Sequence, residues 1–230
     1  MAAVTICSLM FITVNGLQLF YEQTGTGQPL VLVHGNGEDH TIFDEAVEYL
    51  KDSYTCYAID SRNHGKSESS SELHYEQMAD DVVAFIEALD LQNVIYYGFS
   101  DGGIIGLYVA AKCERIKEMI ISGTNLTPQG VKPSLRFLIK AMSVFSRDPK
   151  LKLMLDEPHI DVNMLHGITA RTLVLAGEKD MVEEEETLQI GANIPGAVTR
   201  ILPGEGHGSY IVHKTTVAEL IDTFIKGGIK

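Results

Sequence analysis

With 230 residues, 45% of them hydrophobic and 21% charged, the chain has apolar material for one sizeable core, and a single unit over residues 1–230 is expected. A formal charge of −13 argues against a nucleic-acid partner, which would require a basic stripe. No proline-rich, glycine/serine-rich or repeated tract interrupts the pattern, so a globular soluble protein is expected.

The chain opens on an apolar stretch, Met1 to Ile12, that lacks a basic lead-in, a cleavage site and the length to span a bilayer. It is expected to lead into a first strand, and no membrane partner is expected. Phe11 to Val14 and Leu17 to Tyr21 flank Asn15-Gly16, a pair that tolerates positive φ and closes a tight antiparallel hairpin. Beyond a turn at Gly25 and Gly27, Leu30 to Val33 is an unbroken apolar run, as in a strand covered on both faces. Extended segments at Tyr54 to Ile59, Asn93 to Tyr97 and Ile116 to Ser122 then alternate with helical ones at Tyr75 to Leu89 and Gly102 to Cys113. That is the rhythm of βαβ units. In the first of these helices Met78, Val82, Phe85, Ile86 and Leu89 recur at three- and four-residue spacing. That face should pack on the sheet while Glu76, Asp80 and Glu87 stay wet.

After Thr124 the rhythm breaks for about forty residues, long for a connection, and residues 125–168 are expected to form a cap or lid. Two short amphipathic helices are predicted there, around Leu135 to Phe145 and Leu151 to Leu155, with Pro133, Pro149 and Pro158 as breaks and the apolar residues joining the insertion to the body. The rhythm resumes with a strand at Thr172 to Ala176, a helix at Glu183 to Ile194, a strand at Val198 to Leu202 and a closing helix at Val212 to Phe224. The carboxylates of Glu183 to Glu186 oppose the dipole at that helix's start, which outranks cation binding as their role. Cys7, Cys56 and Cys113 are an odd, scattered set without ligand spacing, and free thiols in a reducing cytoplasm are expected.

The densest chemical signal is Gly98-Phe99-Ser100-Asp101-Gly102, between a strand and a glycine-led helix. A serine at such a turn sits on a strained backbone with its hydroxyl exposed, and the flanking glycines let the neighbouring chain pass closely. A bare hydroxyl is a poor nucleophile, so a base and a group that orients the base are required. Asp180 follows the strand Thr172 to Ala176, and His207 follows the strand Val198 to Leu202. Both positions lie at the carboxyl edge of a parallel sheet, where ligands bind in open α/β folds. Glu178 is the nearest rival to Asp180 as the acid.

Together with the order Ser, Asp, His, these elements resemble the α/β-hydrolase family over essentially the whole chain. The resemblance implies a three-layer α/β/α sandwich around a mostly parallel, twisted sheet of about eight strands, with an N-terminal antiparallel hairpin and a short helical cap. His34-Gly35-Asn36-Gly37 is similar to the family's oxyanion turn, which makes the backbone amides of Asn36 and Asp101 the expected oxyanion hole. His34 would brace that loop. Asp60-Ser-Arg62-Asn-His64-Gly65-Lys-Ser67 is similar to the family's turn after the fourth strand, so His64 is read as structural, as are His40, His74, His159, His166 and His213, the last kept in view because it lies close to His207. In some relatives the acid follows the sixth strand, but Ser122 to Leu126 offers no carboxylate.

Neither metal-ligand spacing nor a phosphate-binding glycine loop is evident, so cofactor-free chemistry on a small-molecule substrate, by a monomer or homodimer, is expected. A small or medium carboxylic ester is the favoured substrate. Carbon–carbon bond hydrolysis and perhydrolysis use the same triad, and a non-catalytic small-ligand receptor could keep the same fold. Asp101 is expected to bond to the start of its own helix, the alternative being a contact with the ammonium of an amino-acid ester.

Overall fold

The computed structural model describes residues 8–229. Cys7 and most of the apolar N-terminal stretch lie outside the described residues. Strand β1 (Ser8–Val14) turns into β2 (Leu17–Gly25) through Asn15 and Gly16, at φ 49° and 76°. Two successive positive φ values match the turn's twist to that of the strands it joins. The remaining strands are β3 (Gln28–Val33), β4 (Tyr54–Ile59), β5 (Val94–Phe99), β6 (Ile116–Ser122), β7 (Arg171–Lys179) and β8 (Val198–Gly206). They form one sheet in the order β1-β2-β4-β3-β5-β6-β7-β8, antiparallel only where β2 meets β1 and β4.

All six residues of β5 are buried, as are Leu30 to Val33 of β3, because helices cover both faces of the sheet. Alternate residues divide between two cores. Leu30, Leu32, Tyr97, Ile120, Leu173 and Leu175 pack with α1 (Asp44–Leu50) and α8 (Thr216–Ile225). Val31, Val33, Tyr96, Met119, Ile121 and Val174 pack against α2 (Tyr75–Ala88), α3 (Asp101–Lys112) and α7 (Glu184–Asn193). The period of two along each strand therefore produces the three-layer α/β/α arrangement.

Between β6 and β7 the chain forms α4 (Pro133–Phe145), α5 (Pro149–Asp156) and a single turn, α6 (Val162–Leu165). That is one helix more than the pattern predicts. Pro133 and Pro149 open helices rather than end them, since the missing N–H is no loss in a first turn. Asp148 and Asp161 cap the second and third by accepting from the main-chain N–H groups of Lys150 and Asn163.

Two further departures have local causes. Helix α1 is seven residues long with only Ala46 and Leu50 buried, too short to register as a period. The closing helix starts at Thr216 rather than Val212, because His213 has φ 51° and residues 208–212 are committed to turns on the Gly208 carbonyl.

The turn after β4 is fastened by an ion pair that periodicity could not reveal. Arg62 donates from Nε and Nη2 to the two oxygens of Asp81, at 2.6 and 2.7 Å, and Asn15 donates to Asp81 Oδ1 at 3.0 Å. Both charged side chains are nearly buried, so each depends on the other for its solvation. Asp81→Ala is expected to lower the free energy of unfolding by about 3–5 kcal/mol in urea titration, because it strands the guanidinium. A loss below about 1 kcal/mol would mean that water reaches the pair.

Candidate active site

Ser100 stands between β5 and α3 at φ 54°, ψ −115°, a conformation that a side-chain-bearing residue adopts only when its surroundings hold it. Its N–H donates to the Ser122 carbonyl at 2.8 Å, and its carbonyl accepts from Gly103 and Ile104 at 2.9 and 3.1 Å. A Cβ at Gly98 or Gly102 would come within 2.2 and 2.0 Å of main-chain atoms, which is why the elbow tolerates only glycine on either side.

The structure brings the three sequence-predicted side chains together. His207 Nε2 lies 3.0 Å from Ser100 Oγ, and His207 Nδ1 lies 2.6 Å from Asp180 Oδ1. Asp180 also accepts from the N–H groups of Val182, at 3.0 Å, and Gly177, at 3.3 Å. Burial alone would raise its pKa, but the hydrogen bond and charge of His207 and these two amides outweigh burial and hold the carboxyl below its ordinary range. An ionised Asp180 fixes the proton on Nδ1 and leaves the Nε2 lone pair facing the serine hydroxyl. The His207 ring also leans on Phe99, centroid to centroid 4.8 Å. Glu178 is turned elsewhere, accepting from Gly204 N–H at 2.7 Å.

The loop His34-Gly35-Asn36 runs beside the serine, and a methyl group on Gly35 would come within 3.1 Å of Ser100 Cβ. Neither the Asn36 nor the Asp101 main-chain N–H has an acceptor among the described residues. His34 ties the loop down. Its Nδ1 is 2.7 Å from the Gly35 carbonyl and its Nε2 accepts from Ser61 N–H at 3.1 Å. Burial, with the charge of His64 second, pushes its pKa down to about 4, so the ring stays neutral and serves as donor on one side and acceptor on the other. Glu38 accepts from Gly35 N–H at 3.0 Å.

Asp101 departs from its sequence reading. Its carboxylate does not bond to its own helix start; it is buried and accepts from Asn36 Nδ2 at 2.9 Å and from the Tyr75 hydroxyl at 2.8 Å. It thereby joins the loop after β3 to helix α2. Tyr75 and Glu157 escaped sequence reasoning altogether. Glu157 accepts from Tyr75 N–H at 3.1 Å and pairs with His74, and both Tyr75 and Glu157 line the hollow above Ser100. Asp101, Asn125 and His207 line it too, and the rest of its wall is Val131, Leu135, Met154, Met181 and Val182. Its volume is about 30 Å³, roughly that of one water molecule.

A larger cavity of about 280 Å³ lies near β2, β4 and α1, lined by Glu22, His40, Asp44 and Lys51, and holds no nucleophile–base pair. Asp39, His40 and Asp60 are the one metal-competent trio among the described residues. Their atoms are already engaged: Asp60 accepts from His40 and Lys66, and Asp39 from Thr41.

The chain belongs to the α/β hydrolase fold family, whose family model matches residues 28–143. It is 36% identical over 104 residues to AB hydrolase superfamily protein YisY of Bacillus subtilis, a match that covers 44% of this chain and 39% of that protein. The chain therefore spans well under half the length of that relative. Serine hydrolase BPHL of Mus musculus is 25% identical over 94% of this chain and 85% of its own length. Among solved structures, the esterase EaEST from Exiguobacterium antarcticum superposes with a TM-score of 0.80 over 94% of this chain and 99% of its own, at 24% identity, a likeness of fold.

A carboxyl group whose pKa is depressed on folding stabilises the folded state above its unfolded value, and that contribution disappears as pH falls through the folded value. The stability gap between the wild type and Asp180→Asn should therefore be full at neutral pH and shrink below pH 3.8, the ordinary value for the group. Urea titrations across that range check it; a gap that widens in acid would contradict the assigned charge state.

Proposed function

We propose that the chain is a serine hydrolase that cleaves carboxylic esters through an acyl-enzyme, with Ser100 as nucleophile, His207 as general base and Asp180 as the acid that orients it. The observation that carries this reading is the unbroken line from Asp180 Oδ1 through the His207 imidazole to Ser100 Oγ, with contacts of 2.6 and 3.0 Å. Such a line lets one proton leave the hydroxyl as the oxygen attacks a carbonyl, and be returned to the departing alkoxide.

The Asn36 and Asp101 N–H groups are the donors for the tetrahedral oxyanion. They have no acceptor among the described residues, and they lie on the two segments that flank Ser100. A donor of this type contributes about 3–4 kcal/mol when aimed at developing charge. His207 then takes a proton from water, the hydroxide attacks the acyl carbonyl, and Ser100 leaves with that proton. Asp180 stays ionised throughout and stabilises the imidazolium.

Residues 125–168 act as a cap over this site, with Leu135 of α4 and Met154 of α5 contributing the wall that faces Ser100. A hollow of about 30 Å³ has no room for an ester, so these two helices must shift to admit one, and small or medium acyl groups require the smallest shift. The relatives named as serine hydrolase and esterase support the same class of chemistry.

The test is steady-state hydrolysis of p-nitrophenyl acetate and butyrate. Multiple turnovers are expected from the wild type, with a kcat/KM loss of about 10⁴-fold in Asp180→Asn, at least as large a loss in Ser100→Ala, and no more than a few-fold loss in Glu178→Gln. A single stoichiometric burst, or a Glu178→Gln loss that matches that of Asp180→Asn, would overturn the assignment.

A further inference from the structure

Helix α4 carries apolar residues on two sides. Leu135 and the buried Ile139 face the body and the hollow, while Phe137 and Val144 lie opposite them and Phe145, Leu138 and Met142 continue round one flank; Phe137 is 77% and Phe145 92% exposed. At about 100° of rotation per residue Val144, Phe137, Phe145 and Leu138 form one continuous outer stripe about 120° wide, which no other described residue covers.

The charge around this stripe is opposite to that of the rest of the protein. Residues 132–152 hold six of the chain's 18 basic residues and one of its 31 acidic ones, leaving 12 basic against 30 acidic elsewhere. Lys132 donates to the Asp180 carbonyl and Lys150 pairs with Asp148, but Arg136, Lys140, Arg147 and Lys152 have no acidic partner among the described residues. Arg136 and Lys140 flank the apolar stripe along one edge, on the same helix.

We propose that the outer face of α4 docks the protein on an anionic phospholipid surface, with the aromatic residues entering the acyl boundary and the flanking cations meeting the headgroup phosphates. A helix with an apolar stripe edged by Lys and Arg has the composition that lies in such an interface. A second copy is a poorer occupant: cap against cap opposes two clusters of like charge, and cap against body leaves one aromatic stripe bare. The acidic excess of the rest of the chain makes the charge distribution lopsided, and that asymmetry turns the basic segment towards the lipid. The expectation of no membrane partner rested on the length of apolar runs, and no helix among the described residues is long and apolar enough to cross a membrane. A helix lying on the surface needs no such length. Because the inner side of the same helix walls the hollow above Ser100, docking places that hollow next to the lipid.

The full chain is tested by flotation with vesicles of phosphatidylcholine alone and of phosphatidylcholine with about a third phosphatidylglycerol. Binding is expected to the anionic vesicles and not to the neutral ones, and it should weaken about tenfold or more in Phe137→Ser/Phe145→Ser and in Lys140→Glu/Arg147→Glu. The charge-reversal pair alters only exposed side chains, so it carries the test even if the serine pair disturbs the helix. Three results would overturn the proposal: no binding to anionic vesicles, equal binding to both compositions, or variants that bind like the wild type. A dimer seen by light scattering that Phe137→Ser/Phe145→Ser dissolves would assign the face to a second copy and overturn it as well. None of these readouts depends on ester hydrolysis.

Discussion

The backbone of Ser100 is the constraint on which the rest of the site depends. A serine at φ 54° is strained, and it is held there because its N–H is bonded to the end of β6 while its carbonyl begins the hydrogen-bond ladder of α3. The strain lifts the hydroxyl out of the β5-α3 turn towards the imidazole that the segment after β8 presents. Parallel strands supply the remaining precision. The chain leaves β3, β5, β7 and β8 at the same edge of the sheet, so the loop around Asn36, Ser100, Asp180 and His207 are delivered side by side although they are far apart in sequence.

Buried charge at this edge is tolerated because every charged group has a specific partner. Asp180 is stabilised by the imidazole and two amides, and Asp81 by the fork of Arg62. His34 solves the opposite problem by staying neutral, so that its two nitrogens can join the Gly35 carbonyl to the Ser61 amide. The turn after β4 and the loop after β3 are therefore one braced unit. The Asn36 and Asp101 N–H groups, which we propose as oxyanion donors, are held by that unit and by the contact of Asp101 with Asn36 and Tyr75.

The frame of the site could be read from the sequence because it is written in local signals. Asn15-Gly16 requires a hairpin, the apolar runs require a sheet covered on both faces, and glycines around Ser100 mark a sharp strand-to-helix turn. The order Ser100, Asp180, His207 then follows from strands that share an edge. Contacts between distant side chains left no such signal. The Arg62–Asp81 pair, the bridge of Asp101 to Tyr75, and Glu157 above the serine depend on how α2 sits on the sheet and how α5 packs beside α4, which periodicity does not specify. Short α1 left no period, and the large apolar residues of α4 read as glue between a cap and the body although five of the seven are exposed.

The central claim is that the Ser100 hydroxyl is nucleophilic because His207 removes its proton. The most direct test is intact mass spectrometry after treatment with a fluorophosphonate, followed by peptide mapping. One adduct per chain, located on Ser100 and lost in His207→Ala, is the predicted result. An adduct on another residue, no adduct, or labelling that is undiminished in His207→Ala would contradict it.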